Sequence, residues 1–254
     1  MLQPNNITPK NMKEKKYPEC LVGMTVIPTQ QCDTCPDEQS ACKKLILADG
    51  SHICLKATVP GGSQSGQIEA VDLDLPSGRK WANMNLGANT PNESGLYFAW
   101  GDTEGHEDGS DDTFYRSDYE DRPASKIDTD LPLEHDAAHA MLGGDWHMPT
   151  KEDFQELYDN CKRSWVDVKG KKGCLFTSKI NGNSIFLPAA GNYNCASLNG
   201  RGSNGYYWSA SFNNSSYAYY LYFNSSDVYP QYNYGRYYGF SVRAVQNSTP
   251  SLTE

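Results

Sequence analysis

The side chains best suited by type to hold a metal stand near the start of the chain: Cys32-x2-Cys35, then Cys42, His52 and Cys54. A tetrahedral zinc site wants four soft ligands, and a CxxC corner is a common half of one. The second half, Cys42-x11-Cys54, is looser, so disulfides compete with zinc for the same thiols. Disulfides belong on a virion or cell surface and not in a reducing cytoplasm. Cys32, Cys35, Cys42 and Cys54 are the candidate zinc ligands, and no other cofactor is expected. His135 and His139 stand four apart on one expected helix, with no third ligand in view. The acidic run Asp102, Glu104, Glu107, Asp108, Asp111 and Asp112 could offer oxygens to calcium, but its spacing fits no EF-hand loop. Cys161 falls on the buried face of an expected helix, where small cysteines pack. Cys161, Cys174 and Cys195 are all read as structural.

A different chemistry is concentrated near the C-terminus. Residues 217–238 read YAYYLYFNSSDVYPQYNYGRYY, and Tyr, Ser and Asn fill well over half of the positions between Tyr206 and Phe240. Such a bias could mark a disordered tract. Against disorder, Trp208, Leu221, Phe223, Val228, Phe240, Val242 and Val245 recur as apolar anchors, with Gly205, Gly235 and Gly239 as punctuation. Tyrosine also suits buried strands, yet so many phenols cannot each find a buried partner in one short segment. An exposed recognition surface accounts for the remainder. Tyrosine offers large amphipathic area with few torsions to freeze, while Ser, Asn and Gly supply adaptable hydrogen bonds.

These residues need a scaffold, and the chain is long enough to provide one. Its 254 residues, 38% hydrophobic, can bury a sizeable core. A net charge of −9 argues against nucleic acid as a partner. No apolar run approaches the roughly 20 residues that cross a bilayer, and the opening residues lack the apolar core of a secretory signal. Residues 1–66 hold five of the eight cysteines and end in PGGSQSGQ, which places a boundary near Ser65. Inside that segment LILADGSHICLK predicts a hairpin about Asp49-Gly50.

Residues 67–254 predict an α+β domain. VDLDL and KWANMNLG read as strands around PSGR, and LYFAW as a short aromatic strand. Residues 101–130 read as a long acidic surface loop. Two helices follow, LEHDAAHAML and a second one capped by Thr150 with Asp153 answering. In that second helix Phe154, Leu157, Tyr158 and Cys161 share one face. GCLFTS, NSIFLP, YYWSAS, AYYLYF and FSVRAV then predict short strands. The absence of a βαβ rhythm favours antiparallel pairing.

Several ordered stretches carry a resemblance: VDLDLPSGRKWANMNLGANTPNESGLYFAWGDT, DAAHAMLGGDWHMPTKEDFQELYDNC, SKINGNSIFLPAAG, YYWSAS and GFSVRAV. Together, over about residues 68–245, they resemble the Fibrobacter succinogenes major paralogous domain. That family is similar to the C-type lectin fold of formylglycine-generating enzymes, whose second helix opens on an element like Trp146-His147-Met148-Pro149-Thr150 here. The resemblance implies a C-type lectin-like domain after a small cysteine-containing module at 1–66. None of Cys161, Cys174 and Cys195 sits in a motif matching the enzymes' reactive cysteines, so no catalysis is expected. Nor are there Glu-Pro-Asn, Gln-Pro-Asp or Trp-Asn-Asp elements of calcium-dependent sugar binding.

A subset of that family looks like the variable proteins of diversity-generating retroelements, in which adenines of a C-terminal coding segment are randomised. Asn codons so mutated give Tyr, Ser, Asp and Gly, the residues that crowd about 203–240. The resemblance implies a diversified, ligand-facing set of Tyr206, Tyr217, Tyr220, Tyr222, Asp227, Tyr229, Tyr232, Asn233, Tyr234, Gly235 and Tyr238. Ala218, Leu221, Phe223, Val228, Arg236, Phe240, Val242 and Arg243 would be scaffold. The implied function is non-enzymatic binding of a protein or surface-receptor ligand, with the module at 1–66 serving attachment or homo-oligomer assembly. Without a signal segment, a phage tail component on the virion is the favoured setting. A bacterial cell-surface adhesin is the alternative, and a formylglycine-generating type of enzyme a distant third.

Overall fold

The computed structural model describes residues 67–107 and 113–247, and the backbone of Cys42–Ile46 and His52–Lys56. Contacts divide the chain into two units, Met1–Gly62 and Ser63–Glu254. In the first unit, β1 (Cys42–Ile46) and β2 (His52–Lys56) pair antiparallel, with Ile46 opposite His52 and Cys42 opposite Lys56. This is the hairpin expected from LILADGSHICLK, while its Asp49-Gly50 turn lies outside the described residues. Cys32 and Cys35 also lie outside them, and Cys42 and Cys54 are placed only as backbone positions.

In the second unit β3 (Ala70–Asp72) turns into β4 (Lys80–Ala82), and Gly78 closes the turn by donating to Leu75 O at 2.8 Å. Gly78 takes φ +70°, a conformation that favours glycine. The acidic stretch that follows is more structured than its composition suggests. It contains α1 (Arg116–Glu120) and a 3-10 turn at Pro123–Lys126. Phe114, Tyr119 and Ala124 are buried there against Tyr97, Ala190 and Tyr193. The expectation of one long surface loop over 101–130 is corrected accordingly, because three apolar side chains pin the acidic residues to the core.

The helix expected over 133–142 is interrupted. Leu133–His135 forms a 3-10 turn, and α2 (Ala137–Leu142) starts after Asp136. Asp136 accepts from His139 N at 2.9 Å and from Met148 N at 2.8 Å. His135 therefore precedes the helix that holds His139, and its Nδ1 meets Gly101 O at 2.9 Å. The two histidines do not share a helix face. Among the described residues no group of three or more His, Cys, Asp or Glu gathers as a metal site.

After β5 (Trp146–His147) comes α3 (Lys151–Asn160), opened as expected by a capping box. Thr150 Oγ1 accepts from Asp153 N at 3.2 Å and Asp153 Oδ2 accepts from Thr150 N at 2.7 Å. Phe154 and Leu157 are its buried face, whereas Cys161 ends the helix and begins β6 (Cys161–Val168). β7 (Lys171–Ser178) and β8 (Ser184–Pro188) complete an antiparallel sheet with β6. A small pair, β9 (Asn192–Asn194) and β10 (Ser197–Asn199), precedes β11 (Gly205–Phe212), β12 (Tyr217–Phe223) and β13 (Val228–Gly235), which pair antiparallel in that order. β14 (Val245–Gln246) closes between β4 and β5. The named strands are antiparallel throughout, with three short helices among the described residues. No described helix is long and apolar enough to cross a membrane.

The β11-β12-β13 sheet is covered by core on both faces over much of its area. Tyr207, Leu221 and Phe223 face a cluster with Trp81, Phe154, Leu157, Phe176, Leu187 and Val245. Trp208, Ala210, Ala218 and Tyr220 face another with Phe98, Trp100, Met148, Phe240 and Val242. Alternation along each strand sends neighbouring residues into different clusters. That double burial makes the sheet a rigid platform for whatever its open parts display.

Candidate binding surface

Cross-strand register assembles the tyrosines. Tyr206 lies opposite Tyr222, and Tyr222 opposite Tyr229, while Trp208 lies opposite Tyr220, and Tyr220 opposite Tyr232. Two steps on β12, from Tyr220 to Tyr222, correspond to three on β13, from Tyr232 to Tyr229. The extra residue is a β-bulge in β13 at the Pro230-Gln231 step. Proline lacks the N–H that a regular ladder needs and is at home at a bulge on an edge strand. The bulge has a direct consequence. Tyr229 and Tyr232 are three apart and would point to opposite faces of a regular strand, yet here their rings are 5.7 Å apart on the same face.

A contiguous aromatic surface results. Tyr222 stacks on Tyr229 at 6.0 Å and lies edge-on to Tyr206 at 5.2 Å. Tyr220 contacts Tyr206 at 5.9 Å, Tyr232 at 5.7 Å and Tyr234 at 6.3 Å. Tyr234 meets Tyr238 at 4.4 Å, and Tyr238 meets Tyr237 at 4.6 Å. Beneath them Trp208 and Phe240 stack at 4.2 Å, and Trp208 Nε1 donates to Phe98 O at 2.9 Å. These edge-on, tilted and stacked contacts run from Tyr229 through Tyr222, Tyr206 and Tyr220 to Tyr234, Tyr238 and Tyr237 and hold the rings in place.

Exposure separates the roles. Tyr232 is 51% exposed, Tyr229 48%, Tyr217 44% and Tyr234 39%. Asp227 and Asn233 are exposed, and Tyr206, Tyr222 and Tyr238 are half-buried. Two members of the expected ligand-facing set are buried instead. Tyr220 is 2% exposed, because its central strand position places it under Tyr206, Tyr232 and Tyr234. Gly235 is buried as well. A Cβ there would come within 2.9 Å of the Tyr237 ring, so the absence of a side chain is what lets that ring pack. Asn233 is exposed on the opposite face, paired with Tyr219, whose ring lies under Lys151 Nζ at 4.6 Å. Asp227 sits in the β12–β13 turn, where Asn224 Oδ1 accepts from its N–H at 2.8 Å and from Ser226 N at 2.7 Å. Tyr217 stands at the start of β12 and lines a pocket together with Tyr234, Tyr237 and Tyr238.

The expected scaffold residues are buried, except that Val228 is half-buried. Arg243 is enclosed: its Nε and NH2 donate to Asn85 Oδ1 at 2.9 and 2.7 Å, and NH1 donates to Ala82 O at 3.1 Å. Burial holds its pKa down to about 10. Asn85 in turn donates to Tyr207 OH at 3.2 Å, and that hydroxyl donates to Pro188 O at 2.7 Å. One tyrosine of this strand is thus spent on tying three segments together. Tyr237 belongs to the surface although the sequence reading left it out; its place in YGRYYG, next to Tyr238, was the available signal.

Nothing in this surface resembles a nucleophile-and-base arrangement. Cys161 and Cys174 are buried, and burial pushes their thiols up to about 11 and about 12, so both are protonated at neutral pH. The arrangement offers aromatic area, hydroxyls and little charge. Comparison with known proteins yields one match, a family model described as a domain of unknown function (DUF8237), over residues 161–245. That span runs from the start of β6 through the whole tyrosine-bearing sheet to the first residue of β14, a third of the chain. No curated protein and no solved structure matches the chain.

Proposed function

We propose that the second unit is a non-enzymatic binding domain that recognises macromolecular ligands, chiefly proteins, through the tyrosine surface. The observation carrying this is the layering: Tyr229, Tyr232 and Tyr234 stand exposed on a buried frame of Trp208, Ala218, Tyr220 and Phe240. Solvent-facing tyrosines of this density are costly to display without a partner, and they supply rigid contact area at low entropic cost. In this reading the domain is C-type lectin-like, supported by the capped α3 and by β4 and β14 joining the two ends of the unit. The exposed tyrosines, with Asp227 and Asn233, are the products of retroelement-directed codon change. The protein then acts as a phage receptor-binding component or a bacterial surface adhesin. Residues 1–66 serve attachment or self-association, with structural zinc at the cysteines an option.

A displayed library tests the binding claim. Randomising Asp227, Tyr229, Tyr232 and Tyr234 and panning against a purified folded protein such as lysozyme is expected to enrich specific binders. A control library at Lys162, Ser164, Asp167 and Lys171 is expected to enrich none. Equal yields from the two, or a first library that is mostly unfolded, would overturn the reading. Sequencing the DNA beside the gene checks the retroelement claim separately: a reverse transcriptase gene and an adenine-bearing template repeat of residues 203–240 are expected, and without them that part falls.

A further inference from the structure

Next to the tyrosine surface, α1 and the 3-10 turn after it meet the start of β12 and the turn at 235–238 around a pocket of about 280 Å³. Tyr217, Tyr234, Tyr237 and Tyr238 form one wall, and Arg116 and Lys126 stand on the other. The charge balance is positive. Arg116 Nε donates to Glu120 Oε1 at 2.7 Å, which uses the single carboxylate of the lining. Lys126 Nζ donates only to the Glu120 backbone carbonyl, at 3.1 Å. Arg236, 1% exposed, also contributes to the lining. Its NH2 donates to Ala124 O at 2.6 Å and its NH1 to Ser215 O at 3.2 Å, while its Nε has no partner among the described residues. The guanidinium stacks over Trp100 at 4.2 Å and faces no described carboxylate.

Three cations around one carboxylate are out of keeping with a chain of net charge −9. A buried guanidinium served by carbonyls, rings and the Tyr119 hydroxyl has lost hydration without gaining a carboxylate counter-charge. The pocket is also larger than one carboxylate needs, since a cavity of about 150 Å³ already holds a benzene ring. Cations at the rim and phenol rings along the wall suit an anionic group joined to a ring. Tyr234 and Tyr238 belong both to this wall and to the aromatic surface, so the pocket and the surface share a border.

We propose that this pocket anchors an acidic side chain, Glu or Asp, of a protein ligand, with a neighbouring aromatic residue of that ligand against the tyrosine wall. The proposal deepens the reading of the tyrosine surface as a protein-binding face, and its test is separable from the library selection, which leaves Arg116 and Lys126 unchanged. The full chain is titrated with acetyl-Glu-Tyr-amide and acetyl-Gln-Tyr-amide and followed by NMR shifts. The Glu peptide is expected to bind roughly tenfold more tightly, as a charge-assisted contact should. An R116Q/K126Q double variant, altered at two exposed positions, is expected to lose that preference while keeping its melting temperature. Equal binding of the two peptides, no binding of either, or a Glu preference that survives the double variant overturns the proposal. N-acetylneuraminic acid is the third probe: if it binds more tightly than the Glu peptide and depends on the same two residues, the anion belongs to a sugar and the peptide assignment is wrong.

Discussion

Two neighbouring strands of one sheet, β12 and β13, carry tyrosine to opposite ends of the energy scale. On the face that packs toward α3 and the β6-β7-β8 sheet, Leu221 and Phe223 are closed off completely. On the other, Ala218 and Tyr220 are closed off too, but the strand beside them, β13, offers Tyr229, Tyr232 and Tyr234 to solvent. Tyrosine therefore has three roles within one sheet: tie in Tyr207, base in Tyr220, contact surface in Tyr229 and Tyr232. Position in the sheet, central strand against edge strand, decides among them. A central strand is covered from both sides and by both neighbours, whereas an edge strand keeps one flank in water.

The sharpest way to break this comparison is to empty the closed face. Phe223→Ala is expected to cost about 3–5 kcal/mol in urea unfolding, because its ring fills the space against Tyr207 at 5.8 Å and Trp165 at 6.4 Å. A cost under 1 kcal/mol would mean the face is not the core described. Tyr207→Phe removes a hydroxyl, leaves one Asn85 hydrogen without a partner and leaves Pro188 O with the Ala190 N–H alone. About 1–3 kcal/mol of lost stability is expected. The paired change Tyr229→Phe, on the open strand, is expected to cost nothing measurable.

A pH titration separates buried from open groups with no mutation at all. Cys161 and Cys174 have folded pKa values pushed by burial from the usual 9.0 to about 11 and about 12. Above pH 9 the unfolded chain releases these protons while the folded chain keeps them. Their contribution to stability is therefore full below pH 9 and is lost as pH rises toward 11–12. Arg243 works in the opposite sense, but only above about 10, where the folded guanidinium loses its charge and the unfolded one keeps it. Between pH 9 and 10 each thiol is expected to remove up to about 1 kcal/mol. Buried Tyr119, Tyr207 and Tyr220, whose pKa values burial raises from 10.0, add to the same downward slope as pH nears 10. Cys174→Ala should flatten that slope; an unchanged slope would place the titration elsewhere.

Local signals in the sequence were the dependable ones. The Thr150–Asp153 box sits within four residues and needs no partner strand, so α3 starts where the sequence says it should. The hairpin at β1 and β2 and the strands β7, β8, β11 and β12 were legible for a similar reason, their apolar anchors being continuous. What stayed hidden depends on register. β13 reads VYPQYNYG, with a proline and no apolar alternation, because its partners supply the burial and its own face is open. The bulge at Pro230-Gln231 defeats a period-of-two count, so the sharing of one face by Tyr229 and Tyr232 could not be counted out in advance. The burial of Tyr220 and Gly235 has the same origin: composition marks a residue as exchangeable, but only the neighbours on β11 and β13 cover it. The turn Pro123–Lys126 with α1 was masked by its acidic flanks, though Phe114, Tyr119 and Ala124 carried the apolar signal.

The smallest expected effect is the one that most sharpens the comparison. Tyr229→Ser and Tyr232→Asn are each expected to change stability by less than about 0.5 kcal/mol, as exposed substitutions away from caps and cores do. Tyr229→Ser still removes ring contacts with Tyr222 at 6.0 Å and Tyr232 at 5.7 Å, and Tyr232→Asn those with Tyr220 at 5.7 Å, Tyr222 at 6.4 Å and Tyr229. With one side of each ring in water, a few tenths of a kcal/mol is the scale of such cross-strand pairs. Tyr220→Ser, one strand inward and at the same register as Tyr232, is the control, with an expected loss of about 3 kcal/mol from an emptied site. The contrast matters more than either value. If Tyr232→Asn cost as much as Tyr220→Ser, the open tyrosines would be part of the core and could not be exchanged without unfolding the domain. If the gap is large, β13 can take many side chains on one unchanged frame, and the ligand can be changed at a cost the scaffold does not feel.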